Sequence, residues 1–510
     1  MRKWLPLLTI ALSTFMLLLD VTIVSVALPT MASALNSSFS ALQWTVDLYV
    51  LVLASLLMAI GSASDLWGRR RTFLIGLIVF AVSSLACGLA PNTGLLIAAR
   101  AVQGVGGSAM LATNGALIGS NYSGKDRGVA FGVWGAVMGA ASAVGPILGG
   151  LLTEHISWRS IFLVNLPVAA VAIFLGMRTL TETRNPNRTR VDLPGTITFT
   201  AGVTAIVYGL IEAGDKSWGD RTTVAAFVIA AVCLLAFVLV ERSRPNPMLD
   251  LSLFRRPSFS ALMVGGLFLH VAAFGNLIYV SLWAQTVLGM DAVKAGLILT
   301  PLAGLAFVTA WLAGKYLEHR VGPQHLIGVG LLLVGVGALV NSRIGADSSW
   351  TVLMPGFCIA GLGVGFSSPV LASAALSAAP PQRAGMATGA INTFRQLGFT
   401  LAVPVFATVI TGGTEHVLSA GGLFADPSAA STQLTAGQAG RLIAAAPAAS
   451  RAAVTHALHA AYATGLQRVF LISAVVGLLA GVAVLALVRS HAEAPVPTPA
   501  PVRAAAPSTE

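Results

Sequence analysis

Long apolar runs follow one another along almost the whole chain, separated by short polar segments. Each run holds roughly 18 or more residues, enough to cross a hydrocarbon core as one helix. The pattern predicts an all-α membrane protein with about fourteen transmembrane helices. We expect these spans at 7–29, 44–64, 72–90, 95–119, 128–152, 160–177, 193–213, 222–240, 259–285, 292–314, 323–341, 350–375, 386–411 and 466–488.

Composition agrees with this pattern. Of the 510 residues, 56% are hydrophobic and only 10% are charged, too few to cover the surface of a soluble protein of this size. The net charge of +11 does not indicate a nucleic-acid partner, because the basic residues lie in short loops on one side of the predicted membrane topology. All three cysteines lie inside apolar runs, which favours buried thiols over a disulfide framework or a metal site.

Lysine and arginine are distributed unequally between the predicted loops. With the N-terminus inside, 20 of them fall in cytoplasmic segments and 8 in outside segments. Both termini are therefore expected in the cytoplasm, in a multi-pass protein of the cell membrane. Residues 412–462 are expected to form a long outside loop, and the Pro- and Ala-rich residues 490–510 a disordered cytoplasmic tail.

Two stretches of sequence repeat. Gly61–Arg71 follows the second span and Gly314–Gly322 follows the tenth, and each places an acid four residues after a glycine. We therefore predict an N-terminal six-helix half at 1–178, two inserted helices at 179–245, and a C-terminal six-helix half at 246–489. Two halves rocking about a central cavity form a known transporter architecture.

The first of these repeats carries the clearest candidate chemistry. Gly61 and Gly68 permit tight turns and close helix approach, while Asp65 and Arg69 can form a charge network that closes the cytoplasmic side. A solvated, positively charged loop is the alternative. It accounts for the arginines but not for the glycine spacing or its repetition.

The fifth span is rich in small residues. Gly135 and Gly139 recur four residues apart, so they share one helix face and allow a neighbour to approach closely. Pro146, which lies between Gly145 and Gly149, lacks a backbone N–H donor and therefore permits a kink in the helix. Small-residue packing alone is common in membrane helices, but Gly-Pro followed by Gly-Gly is not.

Several segments together resemble the fourteen-span drug:proton antiporters of the major facilitator superfamily, over nearly all of residues 5–410. The resemblance rests on Leu19–Pro29, Trp44–Tyr49, Gly61–Arg71, Arg100–Gly104, Gly145–Gly150 and Trp158–Pro167. It implies the major-facilitator fold with two extra central helices, and proton-driven export. Related exporters of quaternary ammonium compounds carry acids in their later helices; this chain has Arg395 and Gln396 in span thirteen instead, which argues against dicationic substrates.

Few ionisable residues lie within the spans, and each is costly to bury, so each is a functional candidate. Asp20 lies about 14 Å from the outer end of its span at 1.5 Å per residue, with Arg100 and Asp47 in the same outer half of the bundle. We expect the three to share a polar pocket for proton coupling or substrate. A static Asp20–Arg100 pair and an interfacial Asp47 are the alternatives.

The predicted function is a proton-coupled multidrug or antibiotic efflux antiporter, exporting lipophilic, aromatic or cationic compounds. Its partners would be the drug, protons and the lipid bilayer, without nucleic acid, and it would act as a monomer. The chain carries no P-loop segment and no convergent catalytic cluster, so we expect neither an enzyme nor a bound cofactor or metal. Export of a native metabolite and uptake by symport stay open as alternatives, since fold does not fix substrate.

Overall fold

The computed structural model describes residues 2–37, 39–185, 192–244 and 247–488. Its N-terminal half contains seven helices. They are α1 (Leu5–Ala34), α2 (Phe39–Trp67), α3 (Arg69–Gly88), α4 (Thr93–Asn121), α5 (Gly124–His155), α6 (Ser160–Leu163) and α7 (Asn165–Thr179), the last two forming one interrupted span.

Two inserted helices follow, α8 (Leu193–Asp215) and α9 (Arg221–Ser243). Asp192 and Asp220 cap them, each accepting a hydrogen bond from a backbone N–H of the first turn. The two helices pack against each other, and α8 also packs against α2 and against the long helix Ala384–Gly421 of the C-terminal half. The hydroxyl of Thr204 on α8 donates to the Ser55 hydroxyl on α2 at 3.0 Å.

The C-terminal half is built from longer and more broken helices. They are α10 (Pro257–Phe274), α11 (Leu277–Leu282), α12 (Ala292–Leu297), α13 (Thr300–Leu312), α14 (Pro323–Asn341), α15 (Met354–Ser377), α16 (Ala384–Gly421), α17 (Pro427–Thr435), α18 (Ala439–Ala445) and α19 (Arg451–Leu487). Short π-helical turns at Trp283–Val287 and Ala313–Leu317 extend spans nine and ten. Pro369 and Pro404 lie inside α15 and α16, as bundled membrane helices tolerate.

The helix count agrees with the prediction. In the described part of the chain, 13 helices are long and apolar enough to cross a membrane. The remaining predicted span, 128–152, lies within the 32-residue helix α5. The all-α membrane fold is therefore confirmed. The predicted tail 490–510 and parts of the segment 179–245 lie outside the described residues.

The segment 412–462 differs from the expected loop. Helix α16 continues to Gly421, α17 and α18 follow, and α19 begins at Arg451. Ala430, Leu434 and Ala439 are buried in an apolar cluster that also contains Trp283. Its Ala-, Gly- and Ser-rich composition indicated a loop, but alanine favours helices, and the small side chains pack onto the bundle.

Candidate functional site

A buried charge cluster lies inside the N-terminal half. Asp20 on α1 and Arg100 on α4 form a direct ion pair, and both are fully buried. The Asp20 carboxylate also accepts hydrogen bonds from Gln103 Nε2 at 3.0 Å and from Asn165 Nδ2 at 3.2 Å. Both amides also donate to Ser84 Oγ on α3, at 2.8 Å and 3.3 Å. The cluster therefore ties together α1, α3, α4 and α7.

Arg100 has further partners around its guanidinium group. Nε donates to the Thr45 carbonyl at 2.8 Å and Nη1 to Gln103 Oε1 at 2.7 Å. The ring centroid of Tyr49 lies 4.1 Å from the guanidinium carbon, a cation–π contact. Within the described residues, Arg100 Nη2 and the Tyr49 hydroxyl have no hydrogen-bond partner. Arg100 therefore has several partners but keeps one nitrogen, Nη2, without a hydrogen bond among the described residues.

Asp47 is placed differently from the other two predicted residues. It lies on α2, two residues before Tyr49, but it is only partly buried, whereas Asp20 and Arg100 have no exposed surface. The structure therefore brings Asp20 and Arg100 together and leaves Asp47 in a more accessible position on a neighbouring helix.

A second polar group links α1, α4 and α5. The Thr14 hydroxyl accepts hydrogen bonds from Asn114 Nδ2 at 2.8 Å and from the Trp134 indole at 2.9 Å. All three side chains are fully buried. No sequence motif pointed to this group, since isolated threonine and asparagine residues are common in membrane helices.

The predicted cytoplasmic motif forms a contact between the two halves, which we call the first seam. The Asp65 carboxylate accepts from Arg69 Nη2 at 2.8 Å and from the backbone N–H groups of Gly385 and Met386, at 2.8 Å and 3.0 Å. These N–H groups belong to the first turn of α16, a favourable place for a carboxylate. Arg69 Nη2 also donates to the Pro381 carbonyl at 2.8 Å.

Glycines let the helices of the first seam approach closely. A Cβ atom on Gly61 would lie 2.5 Å from the Gly385 carbonyl oxygen and 3.0 Å from Gly389 Cα. Gly68 has φ of +107°, a conformation that favours glycine, and a Cβ there would lie 2.7 Å from the Glu182 carboxylate. Glu182 accepts from the backbone N–H groups of Arg70 and Arg71, both at 3.1 Å, at the start of α3.

The second copy of the motif forms an equivalent contact, the second seam, between α5 and the turn Ala313–Leu317. A Cβ on Gly314 would collide with the Gly128 carbonyl and lie 2.9 Å from Gly132 Cα. A Cβ on Gly128 would lie 2.9 Å from Glu318 Oε2. Arg127 Nη2 crosses to α15, donating to Ser377 Oγ at 3.1 Å. The repeat in the sequence thus marks two inter-half contacts.

The glycines of α5 meet different partners along the helix. A Cβ on Gly135 would lie 3.2 Å from the Pro369 ring of α15, in the other half. Gly145 and Gly149 instead face Thr22 and Ile23 of α1, in the same half. Gly139 and Pro146 lie within α5 as predicted.

Sequence reasoning missed several residues that the structure brings to these sites. Gln103 and Asn165 lie in segments that carry the family resemblance, but the sequence assigned them no role. Gly124, Gly128 and Gly132 recur every four residues, a local signal that could have indicated the second seam. Glu182 and Gly385 carried no local signal, because each matters only through a partner distant in sequence.

Comparisons with known proteins agree with this architecture. Residues 10–403 match the family model of the Major Facilitator Superfamily. The chain is 36% identical to the puromycin resistance protein pur8 of Streptomyces alboniger, covering 82% of this chain and 84% of the relative. It is 35% identical to the multidrug resistance protein Stp of Mycobacterium tuberculosis, covering 80% and 75%. The crystal structure of the human organic anion transporter MFSD10 (TETRAN) has the same fold, with a TM-score of 0.62 at 14% identity, over 94% of this chain and 99% of that one. This chain therefore belongs to the Major Facilitator Superfamily.

Proposed function

We propose that this protein exports lipophilic drugs or antibiotics, aromatic or cationic in character, in exchange for protons entering the cell. Two relatives at 35% and 36% identity are named for multidrug and puromycin resistance, which supports export of small molecules. Each proton that enters down a potential of 100 mV releases about 2.3 kcal/mol. The transporter would act as a monomer in the cell membrane, with both termini cytoplasmic.

The fully buried pair of Asp20 and Arg100 carries the coupling part of the proposal. A buried ion pair contributes little net stability, because the cost of desolvating both charges offsets their attraction. Because four helices place side chains around this pair, we assign it a role in transport and not only in stability. Protonation of Asp20 would remove its charge, free Arg100 and weaken the bonds from Gln103 and Asn165. The four helices could then rearrange as the halves rock and the two seams open.

The decisive experiment separates coupling from structure. Asp20→Asn keeps the size of the side chain but cannot take up a proton, so gradient-driven efflux of every substrate should be lost. Passive exchange of labelled substrate across the same vesicle membrane should persist. The matched control is Asp347→Asn, whose side chain is 90% exposed. Wild-type efflux by Asp20→Asn in everted vesicles would end the coupling proposal, and loss of passive exchange as well would assign the pair to structure.

Asp47 is proposed to attract positive charge on a substrate, because it is the more accessible acid. Asp47→Asn should reduce efflux of a cationic drug more than that of a neutral one, since only the cation loses a Coulomb partner. An equal reduction in efflux of the cationic and the neutral drug would show that Asp47 is an interfacial residue without a role in substrate charge.

The orientation has its own test. With the native cysteines replaced, Ser428→Cys on the exposed surface of α17 should react with an impermeant thiol reagent added outside intact cells. Gln382→Cys, exposed between α15 and α16, should react only after the membrane is opened. The reverse pattern would invert the topology and the direction of export.

A further inference from the structure

A second buried arginine lies in the C-terminal half. Arg395 on α16 is 3% exposed and lies about 16 Å along the helix from its start at Ala384, near the middle of the span predicted at 386–411. Nη2 donates to the Ser368 carbonyl of α15 at 2.6 Å. Within the described residues, its Nε and Nη1 have no hydrogen-bond partner, and no acidic side chain forms an ion pair with it.

This arrangement contrasts with Arg100, which has a carboxylate, an amide and a carbonyl as partners. A guanidinium buried without a counter-charge is costly, so it persists where something else supplies the negative charge. The residue does not merely reach the membrane surface, because it is buried at mid-depth rather than near a helix end.

The surroundings of Arg395 suit an aromatic acid. Gly266 on α10 allows that helix to pack closely beside the arginine, since a Cβ there would lie 2.7 Å from Ile391 Cδ1 and 3.6 Å from Arg395 Cγ. The Gly266 carbonyl accepts from His270 Nδ1 at 3.0 Å, which fixes the orientation of that ring. The His270 ring lies 5.1 Å from the Phe274 ring, which provides a flat apolar surface one turn further along α10.

A contact between the halves closes this region on the side predicted to be cytoplasmic. Asn392, one turn before Arg395, donates through Nδ2 to the Leu111 carbonyl of α4 at 2.9 Å. Separation of α16 from α4 would break this bond and open a path to Arg395 from that side.

We infer that Arg395 is the anchor of a binding site for aromatic compounds carrying an ionised acid group, a carboxylate or an acidic phenol. The guanidinium would donate to the anion from one of its unpartnered nitrogens, Nε or Nη1, with the rings of the compound lying toward His270 and Phe274. The inference rests on the proposed export function and adds the substrate class. It matches the lack of the later-helix acids that exporters of dications use.

The test uses three matched fluorescent probes and the purified full-length protein in detergent micelles. They are 1-pyrenebutyrate, its methyl ester, and a pyrene bearing a trimethylammonium group on the same linker. Wild-type protein should bind the carboxylate roughly tenfold or more tighter than the ester, the size expected for a charge-assisted hydrogen bond. Arg395→Gln should reduce this ratio to about one while leaving ester affinity unchanged, and Arg395→Lys should keep part of it. Arg343→Gln, which removes an exposed arginine from the outer surface, is the control and should bind like wild type.

Several outcomes decide the matter. Equal affinity of the wild type for carboxylate and ester, or tighter binding of the ester, would overturn the site. If Arg395→Gln binds neither the carboxylate nor the ester, Arg395→Lys provides the test. A preference of Arg395→Lys for the carboxylate supports the site. Equal or undetectable affinity of that variant for carboxylate and ester overturns it. Gradient-driven export from everted vesicles separates the two proposals. Export of all three probes without charge preference would contradict only the Arg395 site. Binding of the carboxylate without gradient-driven export of any probe would contradict the proposed function.

Discussion

The two seams are built from the same sequence pattern, a glycine followed four residues later by an acid, yet they hold their acids differently. In the first seam, Asp65 is fully buried and accepts bonds from Arg69 and from two backbone N–H groups of α16. In the second seam, Glu318 is half-buried, and its Oε2 has no hydrogen-bond partner among the described residues. Burial raises the pKa of Glu318, and the Ser373 hydroxyl and the Arg127 guanidinium only partly offset that rise.

The difference shows that one motif can compensate its acid in two ways. Asp65 meets a helix N-terminus, where N–H groups and an arginine compensate its charge. Glu318 is compensated instead by the Ser373 hydroxyl and by the half-buried guanidinium of Arg127. We therefore expect the first seam to be the stronger closure and the second to respond to protons.

The largest expected effect comes from blocking the close helix approach in either seam. Gly385→Val and Gly314→Val should abolish drug resistance while leaving membrane insertion intact, because each added side chain would strike a facing backbone. Gly412→Val and Gly304→Val are the matched controls in the same spans, since nothing lies within 4 Å of a Cβ at either position. Resistance would be scored in a pump-deficient bacterium. Normal resistance with both seam variants would show that close approach is unnecessary for transport.

The next effect concerns the two acids. Asp65→Asn leaves Arg69 buried without its counter-charge, a loss of about 3–5 kcal/mol, and should open the first seam. Glu318→Gln should cost the second seam only about 1 kcal/mol, because a neutral group already suits that site. Spin labels at Trp67 and Gln382, and at Lys125 and His319, would report the two separations. A larger opening with Glu318→Gln would reverse the proposed ranking of the seams.

A smaller effect is the pH dependence of the second seam. The pKa of Glu318 is raised in the closed contact and should return toward its ordinary value when opening exposes the carboxyl to water. The closed state therefore binds the proton more tightly. Protonation of Glu318 therefore favours closure as pH falls, and this contribution is lost as pH rises through the raised pKa. The Lys125–His319 label pair should show this shift, and Glu318→Gln should flatten it. A shift unchanged in that variant would assign it to another group.

The smallest effect concerns support of the first seam by Glu182. Glu182→Ala removes the carboxylate that caps the start of α3 and should lower stability by about 1 kcal/mol, measured by thermal unfolding in detergent. Glu154→Ala is the control, because that acid lies in the last turn of α5, where a negative charge is not favourable. Equal effects of the two variants would remove the capping argument.

The order and approximate position of the spans could be predicted from the sequence, because crossing a membrane requires a local property, a sufficiently long apolar run. The repeated glycine–acid pattern and the rare charged residues within spans were equally local signals. They led to Asp65 in the first case and to Asp20 and Arg100 in the second. The helical structure of 412–462 escaped prediction because alanine and glycine allow loop and helix alike, and burial against the bundle selected the helix.

Partners, in contrast, were decided only by the tertiary structure. Asp20 and Arg100 lie far apart in sequence, and the sequence placed them at similar depth without showing that they touch. Asp65 meets the start of α16, whereas Glu318 meets the Arg127 guanidinium and the Ser373 hydroxyl. Nothing local distinguished the two acids, since both follow the same spacing. Likewise, Arg395 reads in sequence as one more charge within a span. Only helix packing determines which charges find a counter-charge, because that depends on which faces of separate helices come within hydrogen-bonding distance.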